Sequence, residues 1–312
     1  MIYKHLFGPV PSRRLGVSLG IDLVPHKTCT YDCIFCECGR TTDLTCERRE
    51  YVPTEEVLEE LDDYLTSHPL LDYITFSGSG EPTLHTGIGN IIHHITSRYP
   101  EYRVAILTNG CLLTDESVRM DILEADLIIP TLSAVSQDLF RKIHRPYPGL
   151  DPVQIINGLV DLRKEFSHEI WLEVFIVPGI NTGAAELARL RSAIERIQPD
   201  RVQLNTLDRP GAVEWVRAAG RDELERIADY LDGEHIEIIA PASTRRELQG
   251  FSGTVQETIV STLERRPCTV IDLAEMLGLH PAEVNKYLEV LLEEGLLEER
   301  CGERGVFFRK KD

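Results

Sequence analysis

Three cysteines, Cys29, Cys33 and Cys36, stand at the spacing C-x3-C-x2-C, with Cys38 and Cys46 close behind. Soft sulfur ligands at such short spacing select zinc or iron–sulfur chemistry. Three thiolates can hold a cubane iron–sulfur cluster and leave one iron without a protein ligand, the open position that a reactive cluster needs. The alternative is a structural zinc site completed by Cys38 or Cys46. Zinc takes four tetrahedral ligands, commonly from paired knuckles, and the chain has no second C-x2-C pair. The bacterial ferredoxin spacing, C-x2-C-x2-C, is different again.

The rest of the chain must position that loop. Short β-branched or aromatic runs alternate with helix-period stretches from about residue 17 to 240, as in βα units around a parallel sheet. Six strands are expected: VSLGIDLV (17–24), YITFS (73–77), RVAILT (103–108), DLIIPT (126–131), EIWLEVFIV (169–177) and RVQLNT (201–206). A seventh, HIEIIA (235–240), would close the edge. Between the first two lies TEEVLEELDDYL, with Val57, Leu58, Leu61 and Leu65 on one helical face and Thr54 as its N-cap. In barrel-like βα folds the loops after the strands converge on one face. Those six loops here are the cysteine loop, SGSGEPTL, TNG, SAVSQ, PGINTG and LDRPG, all polar or glycine-rich. The expected fold class is therefore α/β: an incomplete parallel (β/α)6 TIM-like barrel over residues 1–247.

After a linker at 248–254 the pattern changes. Residues 255–265 and 271–278 read as helices, HPAEVNKYLEVLLEEG as a third that Pro281 opens and Gly295 closes. LLEER and VFFRK then flank a turn. This succession is a winged helix-turn-helix domain over residues 255–312, a size that can fold by itself. It carries 12 acidic and 8 basic residues. Its candidate recognition helix has Glu283, Glu289, Glu293 and Glu294 against Lys286 alone, the reverse of what a DNA groove asks for. Arg300, Arg304, Arg309, Lys310 and Lys311 make the wing basic. A protein- or peptide-docking module, or a lid on the barrel, is expected ahead of a DNA reader.

With Phe35 inside it, the cysteine motif resembles the signature of the radical S-adenosylmethionine (SAM) superfamily. The resemblance implies a 4Fe-4S cluster on Cys29, Cys33 and Cys36, whose open iron chelates the amino and carboxylate groups of SAM, with Phe35 near the adenine. Reductive cleavage of SAM would then give methionine and a 5′-deoxyadenosyl radical for hydrogen abstraction. GSGEP is similar to the family's second motif and points to Ser79, Gly80 and Glu81 at the methionine amino group. An anionic Glu81 beside an ammonium is also sound electrostatics. Asn109 and Ser133 match polar positions that contact ribose or carboxylate, and FIVPGIN takes the place of the adenine-binding strand end. More narrowly, FGPVPSRRLGVSLGIDLVPHKTCTYDC, GRTT, YVPTEEV, FSGSGEPTL, TNG and RPYPG resemble the subgroup named after wyosine tRNA-modifying enzymes, over about residues 7–210. Archaeal wyosine synthases carry extra cysteines ahead of the triplet for a second cluster. Residues 1–28 here contain none.

The resulting expectation is a radical SAM enzyme, an oxidoreductase or transferase, acting on an RNA base, a small molecule or a protein. Its electron donor would be a flavodoxin or ferredoxin. Two alternatives stand beside it: a glycyl-radical-type activase that docks a partner through the winged helix, and an iron–sulfur redox sensor that binds DNA. Cys38, Cys46 and Cys111 are either ligands of an auxiliary cluster or plain thiols. A net charge of −18 argues against coating by nucleic acid or anionic membrane through electrostatics alone, so any RNA contact would be local. Lys27, Arg40, Arg141, Lys142, His144, Arg145 and Arg209 fall on the mouth loops and would form a local basic patch. Pro9 and Pro11 interrupt the N-terminus before any apolar run of signal-peptide length, and no later run approaches a membrane span. The expected location is cytoplasmic, without membrane contact.

Overall fold

The computed structural model describes residues 3–231, 235–239, 255–279 and 281–311. The chain opens with a hairpin, β1 (Leu6–Ser12) and β2 (Gly16–Ile21). The cysteine loop follows, pinned by the two-residue pair β3 (Thr28–Cys29) and β4 (Asp43–Leu44). Helices and strands then alternate: α1 (Thr54–Leu65), β5 (Tyr73–Phe76), α2 (Ile88–Arg98), β6 (Arg103–Thr108), α3 (Glu116–Ile122) and β7 (Leu127–Pro130). Next come α4 (Gln137–His144), α5 (Pro152–Glu165), β8 (Glu169–Phe175), α6 (Ala184–Ile197), β9 (Arg201–Asn205), α7 (Arg221–Leu231) and β10 (Ile236–Ile238). One eight-stranded sheet results, in the order β1-β2-β5-β6-β7-β8-β9-β10. From β2 onward every neighbouring pair is parallel, giving the expected partial barrel.

The antiparallel edge strand β1 was not expected, because Pro9 and Pro11 read as breaks. A sheet edge tolerates proline, which has no N–H to give a ladder. The β1–β2 register also shifts between Phe7 and Val10, around Pro9. Phe7 lies over Gly20, where a Cβ would stand 2.1 Å from the ring; the glycine is what lets the hairpin close. At α1 the N-cap position is held by Pro53, and the Glu50 carboxylate, not Thr54, accepts the first free N–H, that of Thr54, at 2.8 Å.

Strand parity separates two cores. In β6, Val104 and Ile106 face the helices while Ala105 and Leu107 face the lumen; in β8, Ile170, Leu172 and Val174 face out while Trp171 faces in. Helix α2 packs on the outer face through Ile88, Ile91, Ile92 and Ile95, all fully buried, each contributing about 2 kcal/mol by removal from water. In the lumen, Leu15 of the β1–β2 turn plugs an apolar layer of Tyr73, Ala105, Leu127, Ile129 and Trp171. Beside it the lining is polar: Ser18 hydrogen-bonds Thr75, and Glu173 accepts from Arg14, Thr131 and Asn205.

The second domain holds α8 (Val255–Arg265), β11 (Cys268–Thr269), α9 (Val270–Leu277), α10 (Pro281–Glu293), β12 (Leu297–Gly302) and β13 (Gly305–Lys310). Its sheet runs β11-β13-β12, so the hairpin has a third strand that the sequence pattern did not reveal. The linker expected at 248–254 lies outside the described residues. A core of Ile259, Leu263, Leu273, Val284, Leu288 and Phe308 takes in Val10 of β1, which joins it to the barrel. Arg304, in the wing turn, contacts Asp208 after β9 at 2.8 Å, and Arg265 approaches Asp22 after β2 at 3.7 Å. Three more wing cations are engaged: Arg300 and Arg309 pair with Glu298, and Lys310 with Glu264, while Lys311 is exposed. Among the described residues no helix is long and apolar enough to cross a membrane.

Candidate active site

The cysteine loop sits at the carboxyl end of β2, held against the loop after β5. Lys27 N–H donates to the Ser79 carbonyl and Glu81 N–H to the Thr28 carbonyl, both at 3.1 Å. Gly80 makes this approach feasible, since a Cβ there would stand 2.0 Å from the Thr28 carbonyl oxygen. The geometry therefore brings the C-x3-C-x2-C and SGSGEP segments into direct contact, as the strand-end argument requires.

Each cysteine has a distinct neighbour. The Lys27 ammonium lies 3.0 Å from Cys36 Sγ, His144 Nδ1 lies 3.2 Å from Cys33 Sγ, and Asn109 Nδ2 lies 3.6 Å from Cys29 Sγ. Hydrogen bonding from Cys38 and the charge of Lys27 pull the Cys36 thiol down to about 5 against its burial. Burial pushes Cys29 up to about 12, assisted by the Glu81 charge. Burial also raises Cys33, with Cys36 and Cys29 adding to it. Sulfurs that oppose one another's ionisation suit a site whose full set of thiolates is stabilised by metal charge.

The donor set fits an iron–sulfur cluster in its chemistry: one loop offers three sulfur donors, Cys29, Cys33 and Cys36, which would bind different irons of a cubane, and the Lys27 ammonium stands by to offset thiolate charge. Cys38 Sγ points to the Gly78 carbonyl at 3.7 Å. Cys111 is buried and hydrogen-bonds Thr30 Oγ1 at 2.9 Å; burial and then the Cys46 thiol push its own thiol up, and both remain free cysteines.

Glu81 is 2% exposed. Its Oε1 accepts from Thr83 N, Thr83 Oγ1 and Thr108 Oγ1 at 3.2, 2.6 and 2.6 Å, and its Oε2 from Asn109 N at 2.8 Å. The carboxylate thus clamps the loops after β5 and β6, and only Oε2 keeps room for a further donor. Ser79 is turned toward Asp22, donating to Oδ2 at 2.8 Å. Asp22 Oδ1 is buried without a hydrogen-bond partner.

Asn109 bridges Thr30 and Cys111. Ser133 is fully buried, and its hydroxyl accepts the Phe175 N–H at 3.0 Å, so it ties the ends of β7 and β8 together. Asn181 shapes the FIVPGIN loop by donating to the Ser133 and Phe175 carbonyls and accepting from Val177 N. Phe35 stacks on Phe175 with centroids 4.0 Å apart and planes 9° from parallel.

The basic patch expected at the mouth does not form as such. Lys27 and His144 are buried against cysteines; burial lowers His144 to about 3, leaving it neutral. Arg40 and Arg145 both pair with Asp32, and Arg209 with Glu37. Arg141 and Lys142 remain exposed. Lys27, His144, Asp22, Glu37 and Asn181 are thus site residues whose roles the sequence did not reveal. The one local signal was Lys27 standing two positions before the first cysteine; in the structure its backbone is left-handed, at φ 60°.

The chain resembles known proteins in both sequence and fold. Residues 23–190 match the family model described as the radical SAM superfamily, and residues 258–299 that of the bacterial regulatory protein arsR family. A UPF0026 protein of Methanocaldococcus jannaschii is 30% identical over 278 residues, covering 87% of this chain and 85% of that one. A UPF0026 protein of Synechocystis is 35% identical over 210 residues, 67% and 77% of the two chains. A Brachyspira hyodysenteriae protein named GTPase Obg is 38% identical over 297 residues, 95% of this chain. The chain spans only 44% of that relative's length, and it contains no G-x-x-x-x-G-K-S/T phosphate loop. Among solved structures, TYW1 with a lysine–pyruvate adduct aligns at TM-score 0.51 with 18% identity, covering 72% of this chain and 75% of that one. Streptococcus suis SuiB bound to its precursor peptide aligns at TM-score 0.55 with 14% identity, covering 71% and 48%. At these identities the structural likeness concerns the fold.

Proposed function

The chain belongs to the radical SAM superfamily and is one of the UPF0026 proteins, and on that premise we propose that it cleaves SAM reductively to abstract hydrogen from a substrate held in the barrel. The superfamily's cofactors, a 4Fe-4S cluster and SAM, supply an electron and a sulfonium whose cleavage yields a 5′-deoxyadenosyl radical. Cys29, Cys33 and Cys36 are the residues assigned to iron. Lys27 offsets thiolate charge at Cys36, and neutral His144 does not compete with it at Cys33. Glu81 fixes the two loops on which a methionine group would rest, with Oε2 turned to its ammonium. Asn109 orients the loop after β6. Phe35, backed by Phe175, is an apolar wall for adenine, while Ser133 acts through the backbone of β8 rather than by touching ligand. The curved sheet and the docked second domain shield the lumen, where a substrate C–H bond must be held still and away from water.

The observation that carries this reading is the contact between the cysteine loop and the SGSGEP loop at the strand ends. The test is anaerobic incubation of the iron-loaded protein with dithionite and SAM. 5′-Deoxyadenosine should form, and Cys33→Ala should abolish it. Zinc in place of iron, or a loaded protein that never cleaves SAM, overturns the reading. A DNA-binding regulator is disfavoured, because Arg300, Arg304, Arg309 and Lys310 of the wing already face the protein's own carboxylates.

A further inference from the structure

A cavity of about 210 Å³ lies between the polar part of the lumen and the second domain. Ser18 and Thr75 line its barrel side, Glu37 connects it to the cysteine loop, and residues of α9 and the wing turn complete it. The second domain reaches it by lying across the lumen from Val10 in β1 to Asp208 after β9.

Five guanidinium groups line this cavity, and most are matched. Arg14 meets Glu173 at 2.7 Å, Arg209 meets Glu37 at 3.3 Å, and Arg304 meets Asp208 at 2.8 Å and Asp272 at 3.1 Å. Two are not. The closest carboxylate oxygen to Arg13 is Asp208 Oδ2 at 3.9 Å, and Asp208 already serves Arg304 and Arg209. Arg13 is 18% exposed, and burial works against its charge more than Glu37 and Asp208 favour it. Arg266, from the turn between α8 and β11, lines the same cavity with no side-chain hydrogen bond or ion pair among the described residues. Arg209 Nε adds a buried donor without an acceptor. Against these stands one lining carboxylate without an ion pair among the described residues, Glu275. Five guanidiniums thus face five carboxylates, Glu37, Glu173, Asp208, Asp272 and Glu275, yet Arg13 and Arg266 have no carboxylate oxygen within hydrogen-bonding distance among the described residues, and a guanidinium fork left in that way is matched by a planar or tetrahedral oxyanion.

We propose that this cavity is the substrate pocket, and that Arg13 of the barrel and Arg266 of the winged helix together hold an oxyanion, carboxylate or phosphate, of a small-molecule substrate. The proposal rests on the radical SAM reading for its chemistry and names the substrate class for it. The volume is below the roughly 300–1,000 Å³ of pockets that take drug-sized ligands, so a small metabolite fits. A nucleic-acid strand would require the second domain to leave. The winged helix is on this view a wall of the active site.

The test is calorimetric titration of the full-length, cluster-loaded protein with orthophosphate and, separately, with malonate. One of the two should bind saturably at one site per chain, and which one does tells phosphate from carboxylate. Arg13→Gln and Arg266→Gln should each weaken that binding by about tenfold, the loss of one charge-assisted contact. Arg13→Lys should retain part of it, and the surface substitution Lys164→Gln should leave it unchanged. Absence of binding by both probes at millimolar concentration, or binding that persists in folded Arg13→Gln and Arg266→Gln, overturns the proposal. The same loaded samples are assayed for SAM cleavage. Cleavage without anion binding overturns the pocket alone, and anion binding without cleavage overturns the enzyme reading alone.

Discussion

Glu37, between Cys36 and Cys38, faces the Arg209 guanidinium at 3.3 Å and accepts the backbone N–H groups of Asp208 and Arg209 at 2.9 and 3.1 Å. Arg209 in turn lies 3.8 Å from Asp272 of α9. One carboxylate therefore connects the cysteine loop, the end of β9 and the second domain. Glu37→Ala leaves a largely buried arginine and two N–H groups without their acceptor. The expected loss is about 3 kcal/mol, the order seen when one partner of a buried pair is removed, checked by urea unfolding.

Gly80→Ala tests the contact between the two motifs. Its Cβ would stand 2.0 Å from the Thr28 carbonyl oxygen, and backbone on both sides cannot yield as a flexible side chain does. The SGSGEP loop should move off the cysteine loop. Iron retained per chain after anaerobic reconstitution should fall to less than half of the parent value, with the far-ultraviolet dichroism unchanged.

Glu81→Gln separates clamping from charge. The amide oxygen can still accept from Thr83 and Thr108 and so keeps β5 and β6 joined, whereas the bond from Asn109 N–H and the negative charge opposite an ammonium are gone. SAM binding, followed by equilibrium dialysis, should weaken by about tenfold, the worth of one hydrogen bond to a charged group, while iron content stays at the parent level. Loss of iron as well would place Glu81 in the fold rather than in cofactor binding.

Docking of the second domain should depend on acid pH. Although burial alone would raise it, Arg209, the Thr269 N–H and Arg304 hold the Asp272 carboxyl below its ordinary range. A depressed folded pKa contributes stability that is complete above the unfolded value of about 3.9 and lost as the pH falls through the folded value. The radius of gyration from solution scattering should be constant above about pH 5 and rise below about pH 4. Asp272→Asn should remove much of that pH dependence.

Much of this arrangement was legible in the sequence because its signals are local. The run Arg103–Thr108 is a strand with the bounds its composition suggested, and α8 spans Val255–Arg265 as its periodicity did. The cysteine spacing and GSGEP were visible for the same reason. What escaped depends on pairing across the chain. β1 is a strand because an edge accepts Pro9 and Pro11, which no local rule foretells. His144 meets Cys33 from 111 positions away, and Lys27 reads as one more surface cation until burial and Cys36 are seen together. The charge of the wing is legible in the sequence but its availability is not, since Arg300, Arg304, Arg309 and Lys310 face Glu298, Asp208, Asp272 and Glu264.

Cys29, Cys33 and Cys36 are proposed to hold a cluster with one iron open to SAM. The most direct measurement is the electron paramagnetic resonance spectrum of the dithionite-reduced, anaerobically loaded protein, recorded with and without SAM, alongside its iron and sulfide content. About four irons per chain and a cluster signal that changes when SAM is added, both lost in Cys33→Ala, are the expected result. One zinc per chain, or a cluster signal that SAM leaves unchanged, would contradict it.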